Sequence, residues 1–259
     1  MSDVLIPRPA STILPLRDGT TGVEVLLVRR NLNSDFVGGA YVFPGGAVDA
    51  GDAALADRVA GLDDPTASER LGLVAGGLAY YVAALRELFE EAGLLLVTGP
   101  DGATGADAGV MAHWRDELNA RRCAFADVLD GLDQVLDLRG VAYLAHWVTP
   151  VGPPRRFDTR FFVVEAPADQ TAGHDETETV AHRWLRPVDA LALAASGAIT
   201  MILPTIRNLE SIAGFDRVAD VLAWAGSARS VARVEPRMLE RDGETVIVLP
   251  GDEGYEDLD

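Results

Sequence analysis

The chain contains no lysine: all 22 of its basic residues are arginines, set against 40 acidic residues in a length of 259. Without a lysine amine, Schiff-base chemistry and a P-loop lysine are both excluded. Cysteine is nearly absent too. The single Cys123 cannot form an intrachain disulfide, which fits a reducing, cytoplasmic setting. No apolar run reaches the roughly 18 residues that a membrane span needs. The opening Met-Ser-Asp-Val-Leu-Ile-Pro-Arg-Pro lacks the apolar stretch of a signal peptide, and the closing Glu-Asp-Leu-Asp is not a peroxisomal address. The net charge of −18 argues against nucleic acid as a partner, because non-specific binding there depends on neutralising phosphates. No membrane partner is expected either.

What is present supports a buried core. Hydrophobic residues make up 48% of the chain, enough for one domain over 1–259 with sizeable appendages. Apolar alternation and turn residues predict strands at 10–17, 23–30, 40–43, 94–97, 142–149, 157–166 and 180–185. Helices are expected at 53–61, 78–92, 110–121, 124–137, 187–196, 204–213 and 215–225. Asp63-Asp64-Pro65 reads as a break, and strands at 231–240 and 244–249 read as a hairpin about Arg241-Asp242-Gly243.

The densest chemistry lies in Arg86-Glu87-Leu88-Phe89-Glu90-Glu91-Ala92-Gly93-Leu94. Glu87, Glu90 and Glu91 stand at i, i+3 and i+4. On a helix turning about 100° per residue they share one face. Tyr81, Leu85, Leu88, Phe89 and Ala92 fall on another face and can anchor the helix to a core. Gly93 then ends it. Acids this close repel one another, and a bound divalent cation relieves that repulsion. A hard cation such as Mg²⁺ takes carboxylate and phosphate oxygens together.

A second fragment, Phe43-Pro44-Gly45-Gly46-Ala47-Val48-Asp49-Ala50-Gly51-Asp52, lies upstream. Together the two resemble the Nudix box, Gly-x5-Glu-x7-Arg-Glu-U-x-Glu-Glu-x-Gly-U, where U is a bulky aliphatic residue. The second half matches at every fixed position. The first half supplies Gly46, with Asp52 standing where the box has Glu. Residues 53–85 fill a gap that is normally seven residues long. The resemblance implies an α/β protein: a Nudix α/β/α sandwich with a mixed sheet, interrupted by insertions at about 53–77 and 100–139 and extended over about 200–259. It also implies an enzyme that cleaves a small nucleotide-linked diphosphate with Mg²⁺ or Mn²⁺.

Glu90 and Glu91 are the first candidates for metal ligands and Glu87 the third, with a backbone carbonyl at Gly45 or Gly46 completing the shell. Arg86 is expected to hold one of the glutamates by a charge-assisted bond. The resemblance also implies a late-loop acid, serving as an extra ligand or as general base. Glu178 is the candidate and Glu176 the alternative. Strand alternation puts Arg156, Asp158 and Arg160 on one face. Arg155 and Arg156 are candidates for meeting a substrate phosphate, while a structural pairing with Asp158 stays open.

Further islands resemble the peroxisomal acyl-coenzyme A diphosphatase subgroup: Phe36, Gly39-Ala40, Val42-Phe43, Arg155-Arg156-Phe157-Asp158-Thr159 and Leu249-Pro250-Gly251-Asp252-Glu253. That implies hydrolysis of coenzyme A or acyl-CoA to adenosine 3′,5′-bisphosphate and (acyl-)phosphopantetheine. The Leu-Arg-x-His-x-Gly element of the better-known coenzyme A signature is absent. ADP-ribose, NADH and nucleotide sugars are the alternative substrates, and a non-catalytic nucleotide-binding regulator is the alternative class. The insertions are expected to shape the substrate pocket rather than the metal site, and a homodimer is left open.

Overall fold

The computed structural model describes residues 5–32, 38–99, 102, 107–175, 178–227, 229–241 and 244–256. Its first strands are β1 (Arg8–Gly19), β2 (Gly22–Arg30), β3 (Tyr41–Val42) and β4 (Gly45–Ala47). Next come helix α1 (Ala50–Ala53), β5 (Val59–Ala60), helices α2 (Asp64–Leu71) and α3 (Gly77–Ala92), and strand β6 (Val97–Thr98). Helices α4 (Ala108–Asn119) and α5 (Phe125–Leu132) lead to β7 (Val135–Asp137), β8 (Ala142–Val148), β9 (Phe157–Glu165) and β10 (Thr179–Leu185). The chain closes with α6 (Pro187–Ala195), α7 (Leu203–Ile212), α8 (Val218–Ala225), β11 (Arg233–Val234), β12 (Arg237–Arg241) and β13 (Glu244–Val248).

The main sheet runs β10-β2-β1-β9-β8-β11, with β3 beside β2 and β4 beside β1. It is mixed: β1 with β9 and β8 with β11 are parallel, and the other pairs are antiparallel. Successive strand residues face opposite ways, so the sheet has two apolar faces. Ile13, Leu26, Phe162 and Val164 pack toward α3. Leu14, Leu16, Val25, Leu27, Phe161 and Val163 pack toward Ala190, Leu209, Ile212 and Val221 of α6, α7 and α8. This is the expected α/β/α sandwich.

Helix α3 is held because its apolar stripe is buried. Tyr81, Leu85, Leu88, Phe89 and Ala92 are fully enclosed, and each large side chain among them contributes about 1.5–3 kcal/mol over exposure. The stripe leaves the glutamate face turned toward β4.

The two segments expected as insertions pair with each other. Parallel pairing of Val59 with Leu136 and antiparallel pairing of Val97 with Leu136 put β7 between β5 and β6 in a small second sheet. Several expectations fail here. The helix expected at 53–61 is α1, a single 3₁₀ turn over Ala56–Arg58, and β5. Asp63-Asp64-Pro65 does not break a helix but starts one. The Asp63 side chain accepts from the Thr66 N–H, and proline occupies the first turn, where its missing N–H costs nothing. The helix expected at 124–137 ends at Leu132, where Asp133 turns left-handed with φ 52°, and Val135–Asp137 becomes strand. The strand expected at 94–97 shrinks to β6. At the C-terminus β11 joins the main sheet beside β8, so the hairpin is confined to β12 and β13. The expected turn residues 242 and 243 lie outside the described residues. Among the described residues no helix is long and apolar enough to cross a membrane.

Candidate active site

The split box closes through one ion pair. Arg86 donates from Nε to Asp52 Oδ1 at 2.8 Å and from Nη2 to Asp52 Oδ2 at 3.0 Å. Its Nη2 also reaches the Ala47 carbonyl at 2.9 Å, and its Nη1 donates to Glu87 Oε1 at 2.7 Å and Glu90 Oε1 at 3.3 Å. The guanidinium thus fixes two of the glutamates, where one was expected, and the incoming loop as well. Asp52 was legible as a box position but not as the partner of Arg86.

Antiparallel pairing of Gly45 and Gly46 with Thr12 and Ser11 lays the glycine loop across the glutamate face. A Cβ at Gly46 would come within 2.3 Å of Glu87 Oε1, so a side chain there would push the Glu87 carboxylate out of its place. The Gly45 N–H donates to Glu91 Oε2 at 3.3 Å. Glu87, Glu90, Glu91, Gly46 and Arg86 are therefore brought together.

Burial sets the electrostatics. Desolvation pushes the Glu87 carboxyl up to about 7, with Arg86 opposing the shift and Glu90 adding to it. Glu90 is raised by burial against the opposing charge of Arg86. Glu91, 4% exposed, is pushed well above the carboxylate range by burial first and by the neighbouring charge of Glu87 second. Arg86 remains charged: burial opposes this, but the Asp52 hydrogen bond and the charges of Glu87, Asp52 and Glu90 outweigh it.

Among the described residues no three acidic, histidine or cysteine side chains converge on one point with metal-site geometry. Glu87 and Glu90 lean on Arg86 instead. The donor set nevertheless fits a divalent cation. The oxygens are hard, and burial first, with neighbouring carboxylate charge added, favours protons on Glu87 and Glu91 that a cation would displace.

Glu178 joins this field. It is exposed, and its charge is among the causes that raise Glu87, Glu90 and Glu91. Its carbonyl accepts from the Asn31 N–H at 2.8 Å, and its own N–H donates to Asp175 Oδ2 at 3.1 Å. The alternative, Glu176, lies outside the described residues.

The arginine pair at 155–156 is placed differently. Arg155 is exposed. Arg156 is buried, and its guanidinium donates to the carbonyls of Thr149, Pro150 and Leu5 and to Glu235. The predicted shared face of Arg156, Asp158 and Arg160 is present, but Asp158 pairs with Arg160 and His146, not with Arg156. With four protein acceptors, Arg156 ties the N-terminal segment and the start of β9 to the residue following β11. A shallow groove of about 550 Å³ between α6 and α7, lined by Leu191, Ala194, Ile199, Met201 and Ile206 among others, contains no residue of the box.

Residues outside the motif complete the frame. Arg115 and Asn119 of α4 both donate to the Glu90 carbonyl, at 3.0 and 3.2 Å. Helix α4, in a segment expected to shape the substrate pocket rather than the metal site, therefore touches the box helix itself. No local pattern announced this, because the acceptors are backbone atoms remote in sequence.

A sheet flanked by helices, with a glycine loop over an Arg-Glu-x-x-Glu-Glu helix face, defines a Nudix hydrolase. The sequence model of the NUDT19 Nudix domain matches residues 59–212, and the chain belongs to that family. It is accordingly a diphosphohydrolase, of a family that uses divalent metal ions. Acyl-coenzyme A diphosphatase NUDT19 of Homo sapiens is 29% identical, over 97% of this chain and 78% of its own. The protein of the same name from Xenopus laevis is 26% identical, over 92% and 73%. The crystal structure of a NUDIX hydrolase from Alicyclobacillus acidocaldarius has a TM-score of 0.67 to this one at 28% identity, covering 84% of this chain and 96% of its own.

Proposed function

We propose that this chain hydrolyses the diphosphate bridge of coenzyme A or acyl-coenzyme A, with Mg²⁺ or Mn²⁺, to adenosine 3′,5′-bisphosphate and (acyl-)phosphopantetheine. The carrying observation is that the interrupted box is closed by Arg86 and Asp52, with Glu87, Glu90 and Glu91 all retained on one face beside Gly45 and Gly46. The names of the relatives support the choice of substrate, and the scarcity of cysteine supports a cytoplasmic setting.

In this reading Glu90 and Glu91 are the principal metal ligands, with Glu87 and the Gly46 carbonyl beside them. When bound, the cation neutralises the diphosphate oxygens and acidifies water. Arg86 holds Glu87 and Glu90 in orientation. Glu178 accepts the proton of the attacking water as its oxygen bonds to phosphorus and the bridging P–O bond breaks. The electron pair leaves with the departing phosphate. Arg155, exposed at the start of β9, is retained as a candidate contact for substrate phosphate.

The test is turnover on a mixed panel of coenzyme A, acyl-CoAs, ADP-ribose, NADH and nucleotide sugars, with Mg²⁺, Mn²⁺ or EDTA. Preference for coenzyme A species is expected. Better turnover of ADP-ribose than of any coenzyme A species would leave only the reaction class standing.

A further inference from the structure

The last turn of an α-helix leaves its carbonyls without intrahelical partners. In α3 that turn carries Glu90 and Glu91; the Phe89 carbonyl takes the capping Gly93 N–H, and the other three are engaged from outside the helix. The Glu90 carbonyl accepts from Arg115 Nε at 3.0 Å and from Asn119 Nδ2 at 3.2 Å. Thr179 Oγ1 lies 3.4 Å from the Glu91 carbonyl. The Ala92 carbonyl accepts from the Gly173 N–H at 2.9 Å.

These partners are linked to one another. Arg115 Nη2 donates to the Gly173 carbonyl at 2.8 Å, so one guanidinium spans the box helix and Gly173. Asp175 receives the Thr179 N–H at 2.7 Å and the Glu178 N–H at 3.1 Å. Glu178 is therefore tied back to Asp175, two residues from Gly173. Gly93 makes room for the guanidinium: its φ is 70°, and a Cβ there would lie 3.0 Å from Arg115 Nη1. Arg115 also sets a positive charge at the negative end of the helix dipole.

We propose that Arg115 is a positioning residue that fixes Glu178 relative to Glu90 and Glu91, so that helix α4 is a strut of the metal-binding face. The inference rests on the box being the metal site. It assigns the second insertion a role in the reaction geometry, separate from any role in substrate choice. Lysine cannot replace this arginine, because a single ammonium lacks the planar fork that serves both carbonyls.

The test uses the full chain, metal-stripped and titrated with Mn²⁺ under electron paramagnetic resonance, beside steady-state kinetics and amide hydrogen exchange in EDTA. Arg115→Ala should weaken Mn²⁺ binding and lower kcat by about 10–100-fold, the range for loss of an outer-shell partner. KM should change less than kcat. Exchange at Gly173 and Glu178 should quicken without metal. Arg115→Lys should recover little of either loss. Asn119→Ala removes a bond to the same carbonyl from an exposed side chain and should give a smaller shift in the same direction, which keeps the test decisive if Arg115→Ala does not fold. Wild-type Mn²⁺ affinity and exchange rates in Arg115→Ala would overturn the proposal, as would full recovery by lysine. A wild-type chain that binds no Mn²⁺ would overturn the metal reading itself, and the proposal with it.

Discussion

Arg86 and Asp52 meet through two parallel hydrogen bonds of 2.8 and 3.0 Å although 34 positions separate them. This pair explains how the box tolerates its interruption. The entropy of closing a loop grows only slowly with length, so a long insertion is acceptable if its ends are fastened. Both side chains are buried, which makes the pair costly to break from one side. Asp52→Ala should destabilise the fold by about 1.5–3 kcal/mol, because the buried guanidinium loses two charge-assisted bonds while keeping those to Glu87, Glu90 and Ala47. Asp52→Glu, which restores the usual box residue, should lose less. Urea midpoints measure both; an unchanged midpoint in Asp52→Ala would remove the pair from the account.

Glu91 is buried beside Glu87, and its carboxylate accepts from the Gly45 N–H. Glu91→Gln should reduce kcat by more than the roughly 10–100-fold that loss of an outer-shell partner costs. Stability without metal should hold or rise, since a buried like-charge contact disappears. Circular dichroism melts in EDTA, paired with kinetics, separate the two effects. Retained kcat would exclude Glu91 as a ligand.

The raised carboxyls make stability depend on pH in a definite direction. Glu87 is pushed up to about 7, chiefly by burial, whereas an unfolded glutamate titrates near 4.3. Its protonated form is favoured on folding. That stabilisation is complete below the ordinary carboxylate range and fades as pH rises through about 7. In EDTA the melting temperature should fall between about pH 5 and pH 8. Mg²⁺ should raise it more at the higher pH, where no proton must be displaced. Thermal melts across that range check the sign, and an equal Mg²⁺ effect at both ends would contradict it.

Arg156 illustrates a change of expectation. Sequence offered it to a substrate phosphate, but its donors go to Leu5, Thr149, Pro150 and Glu235. Arg156→Ala should therefore lower stability and affect coenzyme A and dephospho-coenzyme A alike. A selective loss on coenzyme A would return Arg156 to the 3′-phosphate.

The box helix was legible because its signal is local: the glutamates, the apolar stripe and Gly93 all fall within α3 and its cap. The strand periods of β1, β2 and β9 were legible for the same reason. The annex was not. Val135–Asp137 follows the helical spacing of Phe125, Val128, Leu129 and Leu132, and becomes strand only through Val59 and Val97. Asp63 and Pro65 form a helix start, which reads equally as a break when the helix that follows is short. Arg115 gave no signal at all, since its acceptors are the carbonyls of Glu90 and Gly173.

The most direct test of the central claim is the fate of water oxygen. With coenzyme A and Mg²⁺ in ¹⁸O-labelled water, mass spectrometry should find label in one product of the diphosphate cleavage. The adenosine product should keep its 3′-phosphate, and both products should be missing in EDTA. Unlabelled products, cleavage that persists in EDTA, or loss of the 3′-phosphate in place of the diphosphate would contradict the account.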